Sequence, residues 1–458
     1  MTNVLLLMSD EHNPLYSSPY GHPTIRTPHM ERLAARGTVF ENAYCPSPLC
    51  MPSRSSFMTG RYVHEIQVYN NCTANLGYTL PTYGRMLAAE GVHSVHVGKV
   101  HAYAREETLG FAEMLVPSAW RYPTDPNISR QPLAVRPDGP ERADRFGPHP
   151  NPFGEDVVRV ETAIDWLRES APELEAPWVL SVNLNAPHFP HYVTQDLWDL
   201  YPEGGDLPAH GRDCASAQHS YAQDLRRHFG TEGFSEEQVR GLRRGYLGGI
   251  TWVDAQLGRL LAALDDAGMT EGTDVLYAAD HGEMLGKFGM WWKCTLYEDS
   301  VRVPLIAAGP SYGRGVRVHT PVSLLDAQAS VFAATGARRP ETWRGRPLQE
   351  IAPDDEGRVV FSEYHGHGTR AGAYMVRRGR WKYIHYVEAP QQLFDLAEDA
   401  DETENLAAVR PDVVAKLRLA LGAICDPELE NTRAEGFIRG QLETLAAARA
   451  GETPEGVV

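Results

Sequence analysis

Short apolar runs alternate along the chain with segments that have helical spacing. An uninterrupted apolar run at 4–8 and mostly apolar runs at 178–184, 274–279 and 303–308 are typical of strands buried on both faces, and 92–97 alternates with period two. Helical spacing is found at 27–36, 80–90, 155–168, 235–264 and 324–334. This alternation from residue 4 to about 335 predicts an α/β fold in which a mostly parallel sheet lies between two layers of helices.

Two of these helices carry clear start signals. Thr27-Pro28 predicts a side-chain cap followed by proline in the first turn, and Gly37 ends the segment. Ser235-Glu236-Glu237-Gln238 is a capping box that opens the longest helical segment.

The pattern changes at about residue 358. A strand at 359–361, a hairpin joined near Arg378-Gly379 and a helix at 413–421 predict a smaller antiparallel subdomain. We therefore expect a catalytic domain over 1–345 and a C-terminal subdomain over 346–458. Residues 104–153 and 198–234 are predicted as irregular insertions, the first near the mouth of a pocket, and 431–458 as an oligomer-forming tail or a frayed end.

Composition narrows the class of protein. The 458 residues, 42% of them hydrophobic, suffice for one large core and a smaller one, and the net charge of −17 argues against general binding to nucleic acid or to anionic membranes. An anionic substrate would need a local basic pocket. No apolar run approaches the ~20 residues of a bilayer span, and the first residues show no leader, so we expect no membrane association and a cytoplasmic location. The six cysteines form no CxxC pair.

One cysteine stands at the start of a predicted helix. Cys50-Met51-Pro52-Ser53-Arg54 is followed by Met58-Thr59-Gly60. Pro52 fits the first helical turn, and the free N–H groups of a helix N-terminus favour a tetrahedral anion. The stretch is consistent with a reactive thiol beside an anion site, or with a buried structural cysteine.

Polar side chains follow several predicted strands, at the edge where open α/β sheets bind ligands. Asp10 and Glu11 follow the first strand, and Asp280-His281 follows the strand at 274–279. Carboxylate and imidazole together suit a divalent metal, although a solvated acidic loop is the alternative for the first pair. Lys99 with His101, and His188, also follow strands and could equally be solvated or turn residues.

The extended string Cys-x-Pro-Ser-Arg with Met-Thr-Gly resembles the signature of the type I sulfatases of the alkaline phosphatase superfamily. The nearest branch includes choline sulfatases and phosphonate monoester hydrolases. The resemblance implies an alkaline-phosphatase-like sandwich with a smaller C-terminal antiparallel sheet. It also implies that a maturation enzyme oxidises Cys50 to formylglycine, whose hydrate is the nucleophile.

The resemblance assigns the metal ligands Asp10, Glu11, Asp280 and His281. Glu11 departs from the Asp or Gln of the family. His281, where many members have Asn, points to the choline sulfatase and phosphonate monoester hydrolase branch or to iduronate-sulfatase-like enzymes. Calcium is the expected ion, with manganese as the alternative.

Roles in catalysis follow from the same resemblance. Arg54, Lys99 and Lys293 would offset charge on the sulfuryl oxygens. His188 would be the general acid and His101 the base. Asn71, in preference to Asn70, would contact substrate oxygens, and His365, His367 and Arg370 are either at the pocket rim or ordinary loop residues.

The expected reaction is hydrolysis of an organic sulfate ester to an alcohol and inorganic sulfate. Hydrolysis of phosphonate monoesters or phosphodiesters by the same residues is the first alternative, and a catalytically silent binder of sulfated ligands is the second. Homo-oligomers are common in the resembling branch and are expected here.

Overall fold

The computed structural model describes residues 1–76, 80–103, 109–119, 121–202 and 206–450. Its centre is an eight-stranded sheet. The strands are β1 Asn3–Ser9, β2 Gly37–Phe40, β3 His93–Gly98, β4 Glu113–Leu115, β5 Trp178–Asn183, β6 Thr273–Ala279, β7 Leu305–Ala308 and β8 Val316–Val318. Their order in the sheet is β8-β2-β7-β6-β1-β5-β3-β4.

The sheet is mostly parallel, as predicted. Strand β1 pairs in parallel with β5 and β6, and β3 pairs in parallel with β4 and β5. Strand β7 runs antiparallel to both of its neighbours, β2 and β6. The periodicity of 303–308 predicted a buried strand but carried no information about its direction.

Both faces of the sheet are covered. In β1 the side chains of Val4, Leu6 and Met8 join one apolar cluster, whereas Leu5 and Leu7 join another on the opposite face. Because successive side chains of a strand point to opposite faces, an uninterrupted apolar run is what two covered faces require.

Most helices agree closely with the predicted segments, whereas the helices at Ser220–Phe229 and Pro427–Arg449 were not predicted. They are α1 Pro28–Arg36, α2 Cys50–Thr59, α3 Tyr83–Ala89, α4 Glu155–Glu169, α5 Ser220–Phe229, α6 Glu236–Asp266, α7 Leu324–Thr335, α8 Pro411–Gly422 and α9 Pro427–Arg449, with single-turn helices at Val63–Ile66, Gln195–Asp199 and Glu298–Val301. In the described ranges no helix combines the length and the apolar content that crossing a bilayer requires.

The N-terminus of α1 is capped differently from the prediction. Thr27 makes no side-chain capping hydrogen bond. The carboxylate of Asp254, on the long helix α6, accepts hydrogen bonds from the backbone N–H groups of His29 at 3.1 Å and Met30 at 2.7 Å. A cap supplied from 225 residues away leaves no local sequence signal, and it fastens α1 to α6.

Removal of this distant cap should destabilise the fold. We expect Asp254→Ala to lower the free energy of unfolding by about 1–2 kcal/mol, because two helix N–H groups lose their acceptor. The measurement is the urea midpoint, with Asp165→Ala, an exposed acid on α4, as the control. Equal midpoints for Asp254→Ala and the control would show that α1 does not depend on this contact.

The smaller antiparallel sheet was also predicted, including the hairpin. Its strands are β9 Val359–Tyr364, β10 Ala373–Arg378, β11 Trp381–Tyr386 and β12 Gln392–Asp395, paired in sequence order. Helix α8 packs against its apolar face through Val413, Val414, Leu417 and Leu421. The domain boundary near 345 stays a prediction.

Two expectations were wrong, an irregular insertion over 198–234 and a frayed end over 431–449, whereas the alternative of an oligomer-forming tail stays a prediction. Within 198–234 the structure contains helix α5, whose Tyr221, Leu225 and Phe229 enter the main core. The segment 431–449 is neither frayed nor unattached, because it belongs to α9. Gln441 of α9 donates hydrogen bonds to the carbonyl oxygens of Cys72 and Ala74, at 3.0 Å each. Residues 451–458 lie outside the described residues.

Candidate active site

The predicted site residues meet at the carboxyl edge of the sheet. Asp10 directly follows β1, Lys99 follows β3 and Asp280 follows β6. These strands lie close together in the sheet, so their carboxyl ends bring the three side chains to one place. Helix α2 begins at Cys50 above this edge.

The thiol of Cys50 lies among candidate metal ligands. Its Sγ is 3.1 Å from Nε2 of His281 and 3.9 Å from Oδ1 of Asp10. Nε2 of His281 is in turn 3.7 Å from Oδ1 of Asp10 and of Asp280. One donor atom from each of these four buried residues lies within 4.8 Å of the others.

Arg54 ties the two aspartates together. Its Nε donates to Oδ2 of Asp280 at 2.7 Å, and its Nη2 donates to Oδ2 of Asp10 at 3.3 Å. Nη1 donates to Oδ1 of Asn183 at 3.2 Å, at the end of β5. The guanidinium is fully enclosed, so its geometry is fixed by bonds to three strand ends.

The start of α2 is partly occupied by side chains. The N–H of Met51 donates to Oδ1 of Asn71 at 3.0 Å, and Oγ of Ser53 donates to the carbonyl oxygen of Asp280 at 2.6 Å. The N-terminus of α2 was expected to offer free backbone N–H groups to an anion, but Asn71 already binds one of them. These bonds fix Cys50 relative to β6.

Glu11 belongs to a second, overlapping group. Its Oε2 accepts a hydrogen bond from Nζ of Lys293 at 3.2 Å and lies 3.3 Å from Nε2 of His188. The donor atoms of Asp10, Glu11 and His188 also lie within 4.8 Å of one another. The structure thus places Glu11 between the metal-type cluster and the side of the cavity that holds Lys293.

Nearby positive charges lower the pKa values of Asp10 and Cys50. Burial and the charge of Cys50 oppose ionisation of Asp10, yet Lys99, which forms an ion pair with it, helps to hold its pKa well below the usual range. Burial also opposes a thiolate, but Lys293 and Lys99 hold the pKa of Cys50 well below its ordinary value. A negative group at position 50 is therefore stabilised.

The turn after β3 depends on a glycine. Gly98 has φ +93°, and a Cβ there would lie 2.2 Å from the carbonyl oxygen of Asn183. Lys99 and His101 follow directly. His101 is itself held at φ 37°, as Glu11 is at φ 66° and Trp292 at φ 64°. Non-glycine residues in this region cost on the order of 1 kcal/mol or more each, and such strain concentrates at functional sites.

A cavity of about 590 Å³ opens onto these groups. The predicted site residues that line it are Cys50, Asn71, Lys99, His101, His188, Lys293 and His367. Burial lowers the pKa of His101, so its ring is neutral at neutral pH. Nδ1 of His188 donates to the carbonyl oxygen of Phe189 at 2.6 Å, which leaves Nε2 directed at Glu11.

Two predicted rim residues lie elsewhere. His365 is fully buried, and its Nε2 is 2.7 Å from Oε2 of Glu363, a carboxylate that also binds His64. Arg370 pairs at the surface with Asp224 on α5. Neither is among the described residues that line the cavity. Both therefore join other parts of the fold, whereas His367 lies at the cavity wall.

Several residues at the site were not predicted. Asn183, which holds Arg54, ends an apolar strand, and that position could have identified it. Asp125, Arg136, Arg142, Phe189 and Phe229 also line the cavity. Asp125, Arg136 and Arg142 come from the irregular insertion, where no periodicity marks them, and Phe229 comes from the helix that was missed.

Comparison with known proteins gives the family. A model of the sulfatase family matches residues 2–337, and a model described as the C-terminal part of N-sulphoglucosamine sulphohydrolase matches residues 286–423. The first match alone spans more than half of the chain.

Similar proteins agree with these matches. The chain is 31% identical to a choline-sulfatase of Rhizobium meliloti (strain 1021), over 88% of this chain and 82% of the relative. It is 28% identical to arylsulfatase K of Danio rerio, over 93% and 84%. Its fold is similar to that of the phosphonate monoester hydrolase of Agrobacterium radiobacter, with a TM-score of 0.75, 22% identity and 97% coverage of both chains. The chain therefore belongs to the sulfatase family of the alkaline phosphatase superfamily, and it is a sulfatase enzyme.

Proposed function

We propose that this enzyme hydrolyses an organic sulfate ester to an alcohol and inorganic sulfate, using a formylglycine formed from Cys50 and a divalent metal ion. The observation that carries the proposal is the position of Cys50. Its side chain lines the cavity and lies 3.1 Å from His281 and 3.9 Å from Asp10. A nucleophile at this position would face both a metal site and a basic pocket.

The donor set fits a divalent ion. Two buried carboxylates and an imidazole converge, and Nδ1 of His281 lies 3.0 Å from the carbonyl oxygen of Gly282, so Nε2 is the nitrogen available to a metal. Burial lowers the pKa of His281, but Asp280 and Cys50 raise it to about 9. A bound metal would take the place of that proton.

We assign Asp10, Glu11, Asp280 and His281 as the ligands and calcium as the ion, with manganese as the alternative because imidazole suits it better. When bound, the ion would act as a Lewis acid toward a sulfuryl oxygen.

Oxidation of Cys50 must come before folding is complete. All ten residues of α2 are buried, so a maturation enzyme would reach the Cys-x-Pro-Ser-Arg stretch only in the unfolded or partly folded chain. The oxidised side chain would supply a hydrated aldehyde as the nucleophile.

We assign three cations, Arg54, Lys99 and Lys293, to the stabilisation of charge on the transferred group. Lys99 and Lys293 both line the cavity, and Lys99 is paired with Asp10 and Lys293 with Glu11. Arg54 is held rigidly behind the nucleophile. Fixed charges of this kind stabilise a transition state without reorganisation, which is usually the largest contribution to catalysis.

Proton transfers are assigned to two histidines. His188 is partly exposed to the cavity, and its Nε2 is the nitrogen that would protonate the departing alcohol. His101 is half-buried at the cavity wall and neutral, as a base requires, and would accept the remaining hydroxyl proton at position 50 when sulfate leaves.

The role of His188 predicts a dependence on the leaving group. We expect His188→Ala to reduce kcat for phenyl sulfate by about 10²–10⁴-fold, but far less for 4-nitrophenyl sulfate, whose phenolate needs little protonation. The control is His149→Ala, a surface histidine that packs against Tyr192. Equal losses for both substrates would contradict the assignment of His188 as the general acid.

Hydrolysis of phosphonate monoesters is the second candidate. A phosphonate monoester carries one negative charge, as a sulfate monoester does, so the same three cations would also serve it, and one protein of similar fold is a phosphonate monoester hydrolase. Parallel assays of 4-nitrophenyl sulfate and 4-nitrophenyl phenylphosphonate decide between them, and we expect the sulfate to have the higher kcat/KM. A catalytically silent binder of sulfated ligands would be expected to have lost metal ligands. Asp10, Asp280 and His281 instead lie together, which argues against that alternative.

A further inference from the structure

One arginine lies against the aromatic wall of the cavity. The guanidinium carbon of Arg142 is 5.3 Å from the ring centroid of Phe189 and 5.1 Å from that of Trp292. Its Nε donates to Oδ2 of Asp138 at 3.1 Å. All four residues line the cavity. Because Asp138 binds Nε, the two Nη groups are left, as far as the described part of the chain shows, to bind another oxyanion.

Arg142 lies on the part of the cavity wall along which the alcohol portion of a substrate would extend. Phe189 directly follows His188, the proposed general acid, and Trp292 directly precedes Lys293. Both His188 and Lys293 contact Glu11. Arg142 therefore packs on the chain neighbours of these two residues. The alcohol portion of a substrate whose ester oxygen faces His188 would extend along this wall.

The wall carries acids as well, but each has a cationic partner. Asp125 is paired with Arg136, and Asp138 with Arg142. Glu141 is mostly exposed and lies 3.8 Å from Arg145. A cationic substrate group would have to compete with these arginines for every carboxylate.

Arg142 is less well neutralised than these pairs suggest. Its partner Asp138 has 39% of its side chain exposed, so water screens that attraction. Burial lowers the pKa of Arg142, the positive charge of nearby Arg136 lowers it further, and the attraction of Asp138 only partly offsets these two effects. A guanidinium still remains charged at neutral pH, so this part of the cavity favours an added negative charge.

The aromatic faces are already covered. A quaternary ammonium group binds best over the faces of tryptophan, tyrosine or phenylalanine. Here the guanidinium of Arg142 lies over Phe189 and Trp292 instead. A choline-like substrate would meet a cation where it needs an aromatic face.

We propose that Arg142 is a specificity-determining residue that binds a second anionic group, a carboxylate or another sulfate, on the alcohol portion of the sulfate ester. This inference rests on the proposed function for the placement of the substrate. Guanidinium groups bind both kinds of oxyanion with two parallel hydrogen bonds, so the two sources share one chemistry.

Binding tests the subsite without relying on turnover. The Cys50→Ala protein, in excess calcium, is titrated by calorimetry with 4-(sulfooxy)benzoate and with its neutral methyl ester. Benzene-1,4-diyl bis(sulfate) and phenyl sulfate form the second pair, which separates a sulfate preference from a carboxylate preference. We expect the more anionic member of at least one pair to bind about tenfold or more tightly, and Arg142→Met to remove most of that preference.

Arg145→Met is the matched control, because Arg145 lies on the same segment and is not among the described residues that line the cavity. It should leave both preferences unchanged. An equal affinity for both members of each pair, or a preference that survives Arg142→Met, would overturn the proposal.

Kinetics then give an independent readout. In the matured enzyme, kcat/KM for 4-(sulfooxy)benzoate is divided by kcat/KM for its methyl ester, and Arg142→Met should lower this ratio by about tenfold or more. Differences in leaving-group reactivity cancel, because wild type and variant are compared on the same two compounds. Choline sulfate should gain kcat/KM in the same variant as the aromatic faces become free. A wild-type enzyme that prefers choline sulfate to 4-(sulfooxy)benzoate would contradict the subsite. Failure to hydrolyse any sulfate ester would instead refute the proposed function, and the calorimetric result would still decide the role of Arg142.

Discussion

Replacement of Cys50 by alanine is expected to lower kcat for sulfate ester hydrolysis by about 10⁴-fold or more, because the proposed mechanism has no other nucleophile in reach of the metal site. Cys50 is buried, and its Sγ touches His281 and lies near Asp10. Removal of one sulfur atom leaves the carboxylates and cations of the site in place. The loss should therefore appear in kcat, with little change in the thermal midpoint.

The control for this variant is Cys425→Ala, which removes a buried thiol from the C-terminal core. It should retain the wild-type kcat after any small loss of stability. If Cys50→Ala kept more than about a tenth of the wild-type rate, a nucleophile other than residue 50 would be required.

The second large effect concerns the metal site. We expect Asp10→Asn to lower kcat/KM by about 10³-fold or more and to abolish the rise in thermal midpoint that calcium produces in the wild type. Asp10 contacts Arg54 and Lys99 as well as the cluster around His281. Asparagine keeps the shape but removes the charge on which a hard cation depends.

Asp266→Asn provides the comparison, since Asp266 is a surface acid paired with Arg168 at the end of α6. Its calcium-dependent shift and kcat/KM should equal those of the wild type. Tight calcium binding by Asp10→Asn, measured by calorimetry, would exclude Asp10 as a ligand even if activity were lost.

The elements that position the site were predictable because their signals are local. The run Val4–Met8 requires two covered faces, and it has them. Ser235 and Gln238 form the predicted capping box at the start of α6. In contrast, the antiparallel direction of β7 and the cap that Asp254 supplies to α1 arise from contacts between distant segments, so no local pattern contains them.

The site residues also fall into two groups, those that a local sequence pattern predicts and those that only distant contacts place. Residues that directly follow strands, such as Asp10, Lys99 and Asp280, are brought together by the sheet itself. His365 shows the limit of that reasoning, because it also follows a strand but points to Glu363 in the interior. Arg142 shows the converse, since it comes from an insertion without periodicity and is placed by its contacts with Asp138, Phe189 and Trp292.

The most direct measurement compares the chemical state of residue 50 with the rate of catalysis. Trypsin releases residues 37–54 as one peptide that also contains Cys45, so fragmentation can locate an aldehyde at one position and a thiol at the other. Across preparations matured to different extents, we predict that kcat for an aryl sulfate is proportional to the aldehyde fraction at residue 50. Full activity in a preparation whose residue 50 is entirely thiol would contradict the account.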